Sequence, residues 1–155
     1  MAALEVRRAT SADAAQVRAV VEQSYALYLP RMAGRPAPLD QDYREVLESS
    51  IGWVAELGGE ILGVAIARIH ADHVLLENVA VLPAAQGRGA GRLLITQVER
   101  YTVLLGVPQV RLYTNAVMTE NLAFYLRSGY HETHRGDQDG FHRVYFSKTV
   151  LPLPG

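Results

Sequence analysis

Three glycines stand at alternate positions, Gly87, Gly89 and Gly91, between an apolar stretch at 79–82 and a helical pattern. The first backbone N–H groups of a helix have no intrahelical partner, and the helix dipole favours negative charge beside them. Glycine lets a phosphate approach such N–H groups closely, because it carries no Cβ. The order of strand, glycines and helix therefore predicts an anion site at residues 86–91, with a plain flexible turn as the alternative.

Two known phosphate-binding loops do not fit this spacing. A P-loop requires Gly-Lys followed by Ser or Thr, whereas the chain continues as Gly91-Arg92-Leu93. A dinucleotide-binding loop that started at Gly87 would need a glycine at the position of Arg92, and an acidic residue at a strand end about 20 residues later. Neither requirement is met. Among the arginines of the chain, Arg88 and Arg92 are the two placed to meet a phosphate at the glycines.

A polar pair, Glu77 and Asn78, interrupts the strand predicted at 74–82. Successive side chains of a strand point to opposite faces, so each of the two polar groups needs a partner or a cleft. A β-bulge or a separation of neighbouring strands would open such a cleft. Glu77 has apolar neighbours that would partly desolvate its carboxylate, which makes it a candidate general base. An exposed carboxylate, or an ion pair with an arginine such as Arg68, is the alternative.

The hydrophobic periodicity indicates the elements that must hold these residues in place. Gly58-Gly59 is typical of a two-residue hairpin turn, and residues 136–140 are expected to join two further strands. Residues 29–39, which include three prolines, are predicted to form a loop. The predicted strands are 5–9, 51–57, 60–71, 74–82, 109–115, 130–135 and 141–148. The predicted helices follow Thr10, follow Asp40 or Asp42, lie between Gly91 and Gly106, and run from Met118 or Thr119 to Ser128. This order indicates an α+β fold with a mixed sheet.

Residues 86–91, which we call the glycine segment, also fit the pattern Gln/Arg-x-x-Gly-x-Gly/Ala, through Gln86, Gly89 and Gly91. Together with residues 79–83 before it and 120–130 after it, the segment resembles the GNAT family of N-acetyltransferases over nearly the whole chain. The resemblance implies one domain over all 155 residues. It further implies a mixed, mostly antiparallel sheet of about seven strands, with about four helices packed on both faces. The implied reaction moves an acetyl group from acetyl-CoA, as cosubstrate and without a metal, to a primary amine of a small molecule or protein.

By this resemblance, the chain holds coenzyme A through two stretches of backbone and a few side chains further along. The pantetheine arm pairs with the strand where its neighbour diverges, and the pyrophosphate lies on the glycine segment. The expected coenzyme contacts are Val79, Ala80 and Val81 for pantetheine, Gln86, Gly87, Arg88, Gly89, Ala90, Gly91 and Arg92 for the pyrophosphate, and Asn115, Asn121 and Tyr125. A cap at the end of a strand explains Asn115 equally well.

The resemblance also assigns the chemistry. Tyr125 matches the tyrosine that the family places beside the coenzyme sulfur, so it is the candidate general acid, with simple core packing as the alternative. Glu77 is the candidate base, directly or through water, because an amine with a pKa of about 10.4 is mostly protonated at pH 7. A backbone N–H on the diverging strand would stabilise the oxyanion. A non-catalytic acyl-CoA-binding module and a purely structural domain are the competing interpretations.

The acceptor is expected to bind near the loop that follows the first helix, because that region borders the acceptor site in the family. Tyr25, Tyr28, Arg31 and Asn78 are the expected acceptor contacts. Guanidinium groups at Arg31 and Arg35 could bind a carboxylate on the acceptor. A solvated surface loop with two charges is the alternative.

Composition limits the other classes of function. A net charge of −1 argues against a nucleic-acid partner, and the lack of cysteine excludes a thiol nucleophile. No apolar run reaches the roughly 20 residues that span a bilayer, and residues 1–7 lack the apolar core of a signal peptide, so a cytoplasmic enzyme without a membrane partner is expected. His131 and His134 would point to opposite faces of a strand, which disfavours a metal site. Because dimers are common in the family, the resemblance also allows a homodimer, to which the strand at 141–148 could contribute an edge.

Overall fold

The computed structural model describes residues 3–151, which form a seven-stranded sheet and four α-helices. All of the predicted strands and helices are present, with ends that differ by a few residues. The strands are β1 (Glu5–Arg8), β2 (Ile51–Leu57), β3 (Glu60–Ile69), β4 (His73–Val81), β5 (Gln109–Asn115), β6 (His131–Gln138) and β7 (Phe141–Thr149). The helices are α1 (Ala14–Ala26), α2 (Tyr43–Ser49), α3 (Ala90–Leu104) and α4 (Thr119–Arg127).

The sheet is mixed and mostly antiparallel, with the strand order β1-β2-β3-β4-β5-β7-β6. The expectation that the strand at 141–148 offers an edge was wrong, because β7 pairs with β5 on one side and with β6 on the other, and β6 forms that edge of the sheet. Among the described strands, β4 and β5 run parallel and the other five neighbouring pairs run antiparallel. The parallel pair requires a long crossover, and α3 supplies it. The α+β class and the mixed sheet of seven strands with four helices are therefore confirmed.

Helices cover both faces of the sheet, because its central strands carry apolar side chains on both sides. On one face, α1 buries Val17, Val20 and Val21 together with residues of α2. On the other face, Leu94 of α3 and Tyr125 of α4 belong to a second core cluster. Each fully buried aliphatic side chain contributes roughly 1.5 to 3 kcal/mol to stability. Residues of β4 belong to both cores, on either side of the polar pair Glu77 and Asn78.

The hairpin between β6 and β7 is tighter than the sequence analysis predicted. β6 extends to Gln138, so the connection shrinks from residues 136–140 to Asp139-Gly140. These two residues have φ angles of 54° and 81°. A type I′ turn requires positive φ at both central positions, and Asp-Gly is a preferred pair for it. The prediction of a longer turn was wrong because polar residues 136–138 pair as an exposed edge strand.

The connection between α1 and α2 is more ordered than a plain loop. It contains two 3-10 turns, Leu29–Arg31 and Ala37–Leu39, and each has a proline in its first turn. Proline suits that position, because its fixed φ matches the turn and its missing N–H needs no partner there. Leu39 is buried in the α1 core, which fixes the loop against the rest of the protein.

A buried carboxylate at the start of α1 makes stability depend on pH. Asp13 accepts a hydrogen bond from the Thr10 N–H at 2.9 Å, and it pairs with two nitrogens of Arg7 at 2.9 and 3.0 Å. The Arg7 guanidinium holds the pKa of Asp13 below its usual value. A carboxylate with a lowered folded-state pKa stabilises the fold above the unfolded-state pKa of about 3.9, and this contribution is lost as the pH falls through the folded-state pKa.

We expect Asp13→Asn to lower the free energy of unfolding by roughly 1 to 2 kcal/mol at pH 7, and by less at pH 2. The range allows for water around Arg7, whose side chain is 41% exposed. Urea denaturation at the two pH values measures the difference. The control is Asp40→Asn, which removes an exposed partner of Arg35 and should change stability little. Equal losses at both pH values for Asp13→Asn would contradict the linkage.

Candidate active site

β4 and β5 separate halfway along their length. Their parallel pairing covers residues 73–76 of β4 and 109–112 of β5, and both strands continue beyond it. The remaining part of β4, residues 77–81, is paired with β3 on one side and faces a gap on the other. Such a gap exposes backbone hydrogen-bonding groups inside the fold, and these groups require partners.

A β-bulge marks the point of separation. Ile66 lies opposite Asn78 and Ala67 lies opposite Leu76, which leaves Glu77 as the extra residue of β4. A bulge bends its strand and increases the local twist. The polar pair Glu77 and Asn78 predicts a bulge or a strand separation, and the structure has both.

The free edge of β4 presents the backbone of two valines. The Leu82 N–H donates to the Leu62 carbonyl at 2.9 Å, across the pair formed by β3 and β4. Backbone groups alternate in direction along an antiparallel strand, so those of Val81 and Val79 point away from β3 and into the gap. An extended ligand can therefore pair there as an added strand does. Ala80 differs, because its backbone points to β3 and its side chain is buried in the core.

The glycine segment keeps a group of backbone N–H groups free. Gly87 and Gly89 have φ angles of 85° and 86°, in the left-handed region that favours glycine. A Cβ placed on either residue would meet no atom within 4 Å, so the space beside both is open. The Leu93 N–H makes the first bond of α3, to the Gly89 carbonyl, and within residues 3–151 the N–H groups of 89–92 have no backbone acceptor. Open space and free donors at a helix start fit a pyrophosphate.

Gly91 has a packing role in addition to its place in the glycine segment. A Cβ at this position would lie 3.2 Å from Cζ of Phe124, closer than ordinary van der Waals contact. Gly91 therefore allows the start of α3 to approach α4. Because α4 carries Asn121 and Tyr125, this contact helps to set the distance between the glycine segment and those two side chains.

A cavity of about 580 Å³ extends from the glycine segment to the free edge of β4, and we call it the glycine cavity. Arg127 of α4 contributes a guanidinium to it, and Arg88 is exposed and outside the lining. Nine of the expected coenzyme contacts at 79–92 line this cavity: Val79, Ala80, Val81, Gln86, Gly87, Gly89, Ala90, Gly91 and Arg92.

A second cavity of about 560 Å³ lies on the side of Glu77 and Asn78, and we call it the polar cavity. Its walls come from the loop between α1 and α2, the bulge of β4, the end of β5 and the β6–β7 hairpin. The polar and charged groups in its lining are Arg35, Gln41, Arg68, Glu77, Asn78, Tyr113, Thr114, Asn115, Asn121, Tyr125, Asp139 and Arg143, besides Tyr25.

The two cavities meet where β4 leaves β5. Five residues line both of them: Tyr25, Val79, Met118, Asn121 and Tyr125. A ligand that extends along the glycine cavity would therefore place its end beside the tyrosines, within reach of a second ligand in the polar cavity. This arrangement suits a reaction between two substrates, because each could occupy its own cavity while the reacting atoms meet at the shared residues.

Tyr125 occupies the junction with its hydroxyl protonated. The residue is buried; its ring packs edge to face against Tyr130 and at a tilt against Phe124 and Phe146. Its hydroxyl has no hydrogen-bond partner among residues 3–151. Burial raises the pKa of Tyr125, so the hydroxyl keeps its proton at neutral and moderately alkaline pH. Burial also raises the pKa of Tyr25, the second phenol at the junction, to about 12.

Glu77 forms an ion pair, as the alternative interpretation of its sequence allowed. Its Oε1 accepts a hydrogen bond from Nε of Arg68 at 2.8 Å, and Arg68 also reaches the Ser50 hydroxyl at 3.4 Å. The Glu77 side chain is 25% exposed and lines the polar cavity. The carboxylate is thus held in the wall of the polar cavity, with one oxygen engaged by Arg68.

Three other residues singled out from the sequence have partners within the protein. Asn115 Oδ1 accepts a hydrogen bond from the Val117 N–H at 3.0 Å, which is the strand-end cap offered as the alternative. Arg31 pairs with Glu120 at 3.0 Å, stacks 5.3 Å from the ring of Tyr28, and lies outside the lining of both cavities. Tyr28 is buried and lines the glycine cavity instead of the polar cavity.

Several residues that line the cavities had not been singled out from the sequence. Met118 at the junction, Arg127 in the glycine cavity, and Tyr113, Phe141 and Arg143 in the polar cavity belong to this group. None of these five residues belongs to a recognisable sequence motif. Alternation along β5 and β7 is the signal that could have placed Tyr113 and Arg143 on one face, once the two strands were known to be neighbours.

Two further classes of site were sought in the described part of the chain. No group of three or more His, Cys, Asp or Glu side chains in residues 3–151 is arranged to hold a metal ion. None of the helices described is both long and apolar enough to cross a membrane.

Comparison with solved structures shows where this fold recurs. The PaiA N-acetyltransferase from Thermoplasma acidophilum, solved in complex with coenzyme A, matches with a TM-score of 0.78 at 15% identity, over 95% of this chain and 99% of that chain. The ribosomal-protein-S18-alanine N-acetyltransferase from Escherichia coli matches with a TM-score of 0.76 at 17% identity, over 98% of this chain and 97% of that chain. At these identities, the likeness is one of fold.

Curated proteins of similar sequence include two mycothiol acetyltransferases. The one from Streptomyces bingchenggensis is 39% identical over 80 residues, which make up 50% of this chain and 26% of that protein. The one from Streptomyces griseus is 36% identical over 87 residues, or 55% of this chain and 28% of that protein. The chain thus matches about a quarter of the length of these relatives.

A sequence model of the acetyltransferase (GNAT) family matches residues 19–130, which is more than half of the chain. The match begins in α1 and ends directly after α4, so it includes the glycine segment, the bulge of β4 and the junction of the two cavities. The chain therefore belongs to the acetyltransferase (GNAT) family.

Proposed function

We propose that this protein is an N-acetyltransferase that moves an acetyl group from acetyl-CoA to a primary amine of a small molecule or protein. The observation that carries the proposal is the junction of the glycine cavity and the polar cavity at Tyr125 and Val79. An acyl transfer needs a donor and an acceptor to meet at one point, and the two cavities provide that point.

The residues of the glycine cavity fit coenzyme A. The free N–H groups of residues 89–92 would bind its pyrophosphate, with Arg92 adding positive charge. The backbone of Val79 and Val81 would pair with the amide groups of the pantetheine arm, which is the pairing left open where β5 separates from β4. The arm would then end beside Tyr125 and Asn121.

The chemistry can be assigned to three groups of the chain. When bound, acetyl-CoA supplies an acetyl thioester. Glu77, directly or through a water molecule, would take the proton that the attacking amine gives up. The Val79 N–H, which points into the gap, would stabilise the negative charge that develops on the carbonyl oxygen. Tyr125 would give its proton to the departing sulfur, so that one amide bond forms as one thioester bond breaks and free thiol is released.

The ion pair with Arg68 gives Glu77 a defined position. An incoming amine would meet a carboxylate whose Oε1 is fixed at 2.8 Å from Arg68, in the lining of the polar cavity. Because Arg68 already engages one oxygen of Glu77, the ion pair favours proton transfer through a water molecule over direct removal of the amine proton by the carboxylate. Asn78, next to Glu77 in the polar cavity, can orient the acceptor by hydrogen bonding.

An acceptor screen tests the function. Purified protein is mixed with acetyl-CoA and a broad panel of primary amines, and free thiol is followed over time. Amine-dependent thiol release supports the proposal. Coenzyme binding by calorimetry without thiol release from any amine would point instead to a non-catalytic acyl-CoA-binding module. Absence of coenzyme binding at millimolar concentration would overturn both interpretations.

We expect Glu77→Gln to lower kcat roughly tenfold at pH 7, below the 10²–10⁴-fold typical of general bases because water can partly replace the carboxylate. The loss should shrink as the pH rises, since a larger fraction of the amine is then already neutral. A pH–rate profile measures both effects. The control is Glu56→Gln, because Glu56 is also a strand glutamate in an ion pair, with Arg7 at 3.2 Å, and lies away from both cavities. A loss of the same size at every pH would argue against a base.

A further inference from the structure

Three arginines line the polar cavity, and two of them already have carboxylate partners. Nε of Arg35 pairs with Asp40 at 2.7 Å, and Nε of Arg68 pairs with Glu77 at 2.8 Å. Arg143 has no carboxylate partner among residues 3–151, and its guanidinium donates to the neutral amide of Gln138 at 2.7 Å. The uncompensated positive charge of this cavity therefore lies on Arg143.

The fold holds the Arg143 guanidinium in a defined place. It lies 4.4 Å from the centre of the Tyr113 ring, within the range of a cation–π contact. In β6, the residue opposite Arg143 is Gly136, where a Cβ would meet no atom within 4 Å, and the contact from that strand comes from the Gln138 side chain. On the other side it lies opposite Asn115 of β5, at the wall of the cavity. A positioned guanidinium without a counter-charge is suited to bind an oxyanion bidentately.

We propose that the acceptor amine carries an oxyanion group, a carboxylate or a phosphate, which Arg143 binds while the amine nitrogen lies at the junction near Tyr125. This inference rests on the proposed acetyl transfer and adds the chemical class of the acceptor. It assigns the role to Arg143 and not to Arg31 or Arg35, since Glu120 and Asp40 already occupy those two guanidinium groups.

One acidic residue of the same cavity opposes an anion. Asp139 lies in the turn between β6 and β7 and is exposed, whereas Arg143 is half-buried. Water screens an exposed charge more than a half-buried one, so the attraction by Arg143 outweighs the repulsion by Asp139. Replacement of Asp139 by Asn should accordingly favour an anionic acceptor slightly.

Matched acceptors test the inference. Glycine, β-alanine and γ-aminobutyrate are compared with their carboxamides, and aminoethylphosphonate is added to tell phosphate-like from carboxylate groups. Arg143→Gln should lower kcat/KM for the preferred acid roughly 10- to 100-fold, mainly through KM, and should leave kcat/KM for the amides unchanged. Arg143→Lys should recover part of the loss. Because the acid-to-amide ratio is compared between variants, the intrinsic reactivity of each amine cancels.

The control is Arg135→Gln, which removes a 62% exposed arginine of the neighbouring strand that pairs with Glu132 and lines neither cavity. It should leave every acid-to-amide ratio unchanged. Equal ratios for the wild type and Arg143→Gln would overturn the inference and leave the proposed function standing.

If no amine releases thiol, the proposed function fails and the inference is tested by binding alone. N-acetyl-β-alanine and its amide are then titrated into the protein and followed by NMR. Tighter binding of the acid that disappears in Arg143→Gln supports the anion site, and equal binding of acid and amide overturns it.

Discussion

Gly89→Glu is expected to abolish measurable binding of coenzyme A, with a loss in affinity of at least about 100-fold, since juxtaposed like charges cost several kcal/mol. The new carboxylate would project from a residue whose Cβ direction is open, at the start of α3. It would occupy the free N–H groups of residues 89–92 and repel a pyrophosphate from them. Isothermal titration with coenzyme A measures the loss.

Backbone strain must be separated from the charge effect in this experiment. Gly89 has a φ of 86°, so any replacement also costs roughly 1 to 2 kcal/mol of folding stability. Gly59→Glu is the matched control, because Gly59 has a φ of 84°, an equally open Cβ direction, and a place in the β2–β3 hairpin outside both cavities. Both variants should lose similar stability, and only Gly89→Glu should lose coenzyme binding. Equal affinities for the two would remove the glycine segment as the pyrophosphate site.

Tyr125→Phe is expected to lower kcat by about 100- to 1000-fold, the range of a lost general acid, while the dissociation constant for coenzyme A stays nearly the same. The hydroxyl has no protein partner in residues 3–151 and the ring packing is kept, so the folded state should be about as stable as before. Burial keeps the pKa of Tyr125 above its usual value near 10, so the loss should be constant between pH 6 and 9. Stopped-flow thiol release and thermal unfolding measure the two properties.

Tyr130→Phe is the control, for which we expect a loss of stability without a loss of activity. The Tyr130 hydroxyl donates to Glu99 at 2.9 Å, and Glu99 also binds Lys148 at 3.0 Å, away from both cavities. Loss of the Tyr130 hydroxyl should lower the free energy of unfolding by roughly 1 to 2 kcal/mol and leave kcat unchanged. If Tyr125→Phe retained full kcat, Tyr125 would be a packing residue and the acid would have to be sought at Tyr25 or in water.

The elements of this protein could be predicted because their signals are local. Gly58-Gly59 fixes one hairpin, and the apolar spacing of α1 places Val17, Val20 and Val21 on one face. The turn at Asp139-Gly140 shows where local signals fail. The Asp-Gly pair is itself a turn signal, but the strand before it has no apolar residues that would mark it as a strand. β6 needs few apolar side chains, because it pairs with β7 alone and its residues are exposed along its whole length.

The wall of the polar cavity lay beyond prediction because its residues are far apart in the chain. Tyr113 and Arg143 become neighbours when β7 inserts between β5 and β6, a pairing that no local pattern specifies. Arg31 was expected to face the acceptor, yet it binds Glu120, which lies 89 positions later. The partner of a surface charge depends on which elements pack together.

The sequence by itself determined the conformation of the glycine segment, because Gly87 and Gly89 take up positive φ angles and the helix that follows begins directly after them. It also determined the break in β4, because Glu77 and Asn78 cannot both be buried in an unbroken sheet. Only the tertiary structure decided that the free edge of β4 faces Tyr125, and that Arg143 is left without a carboxylate in the opposite wall. Those arrangements depend on strand order and packing, which join residues that have no local means of influencing one another.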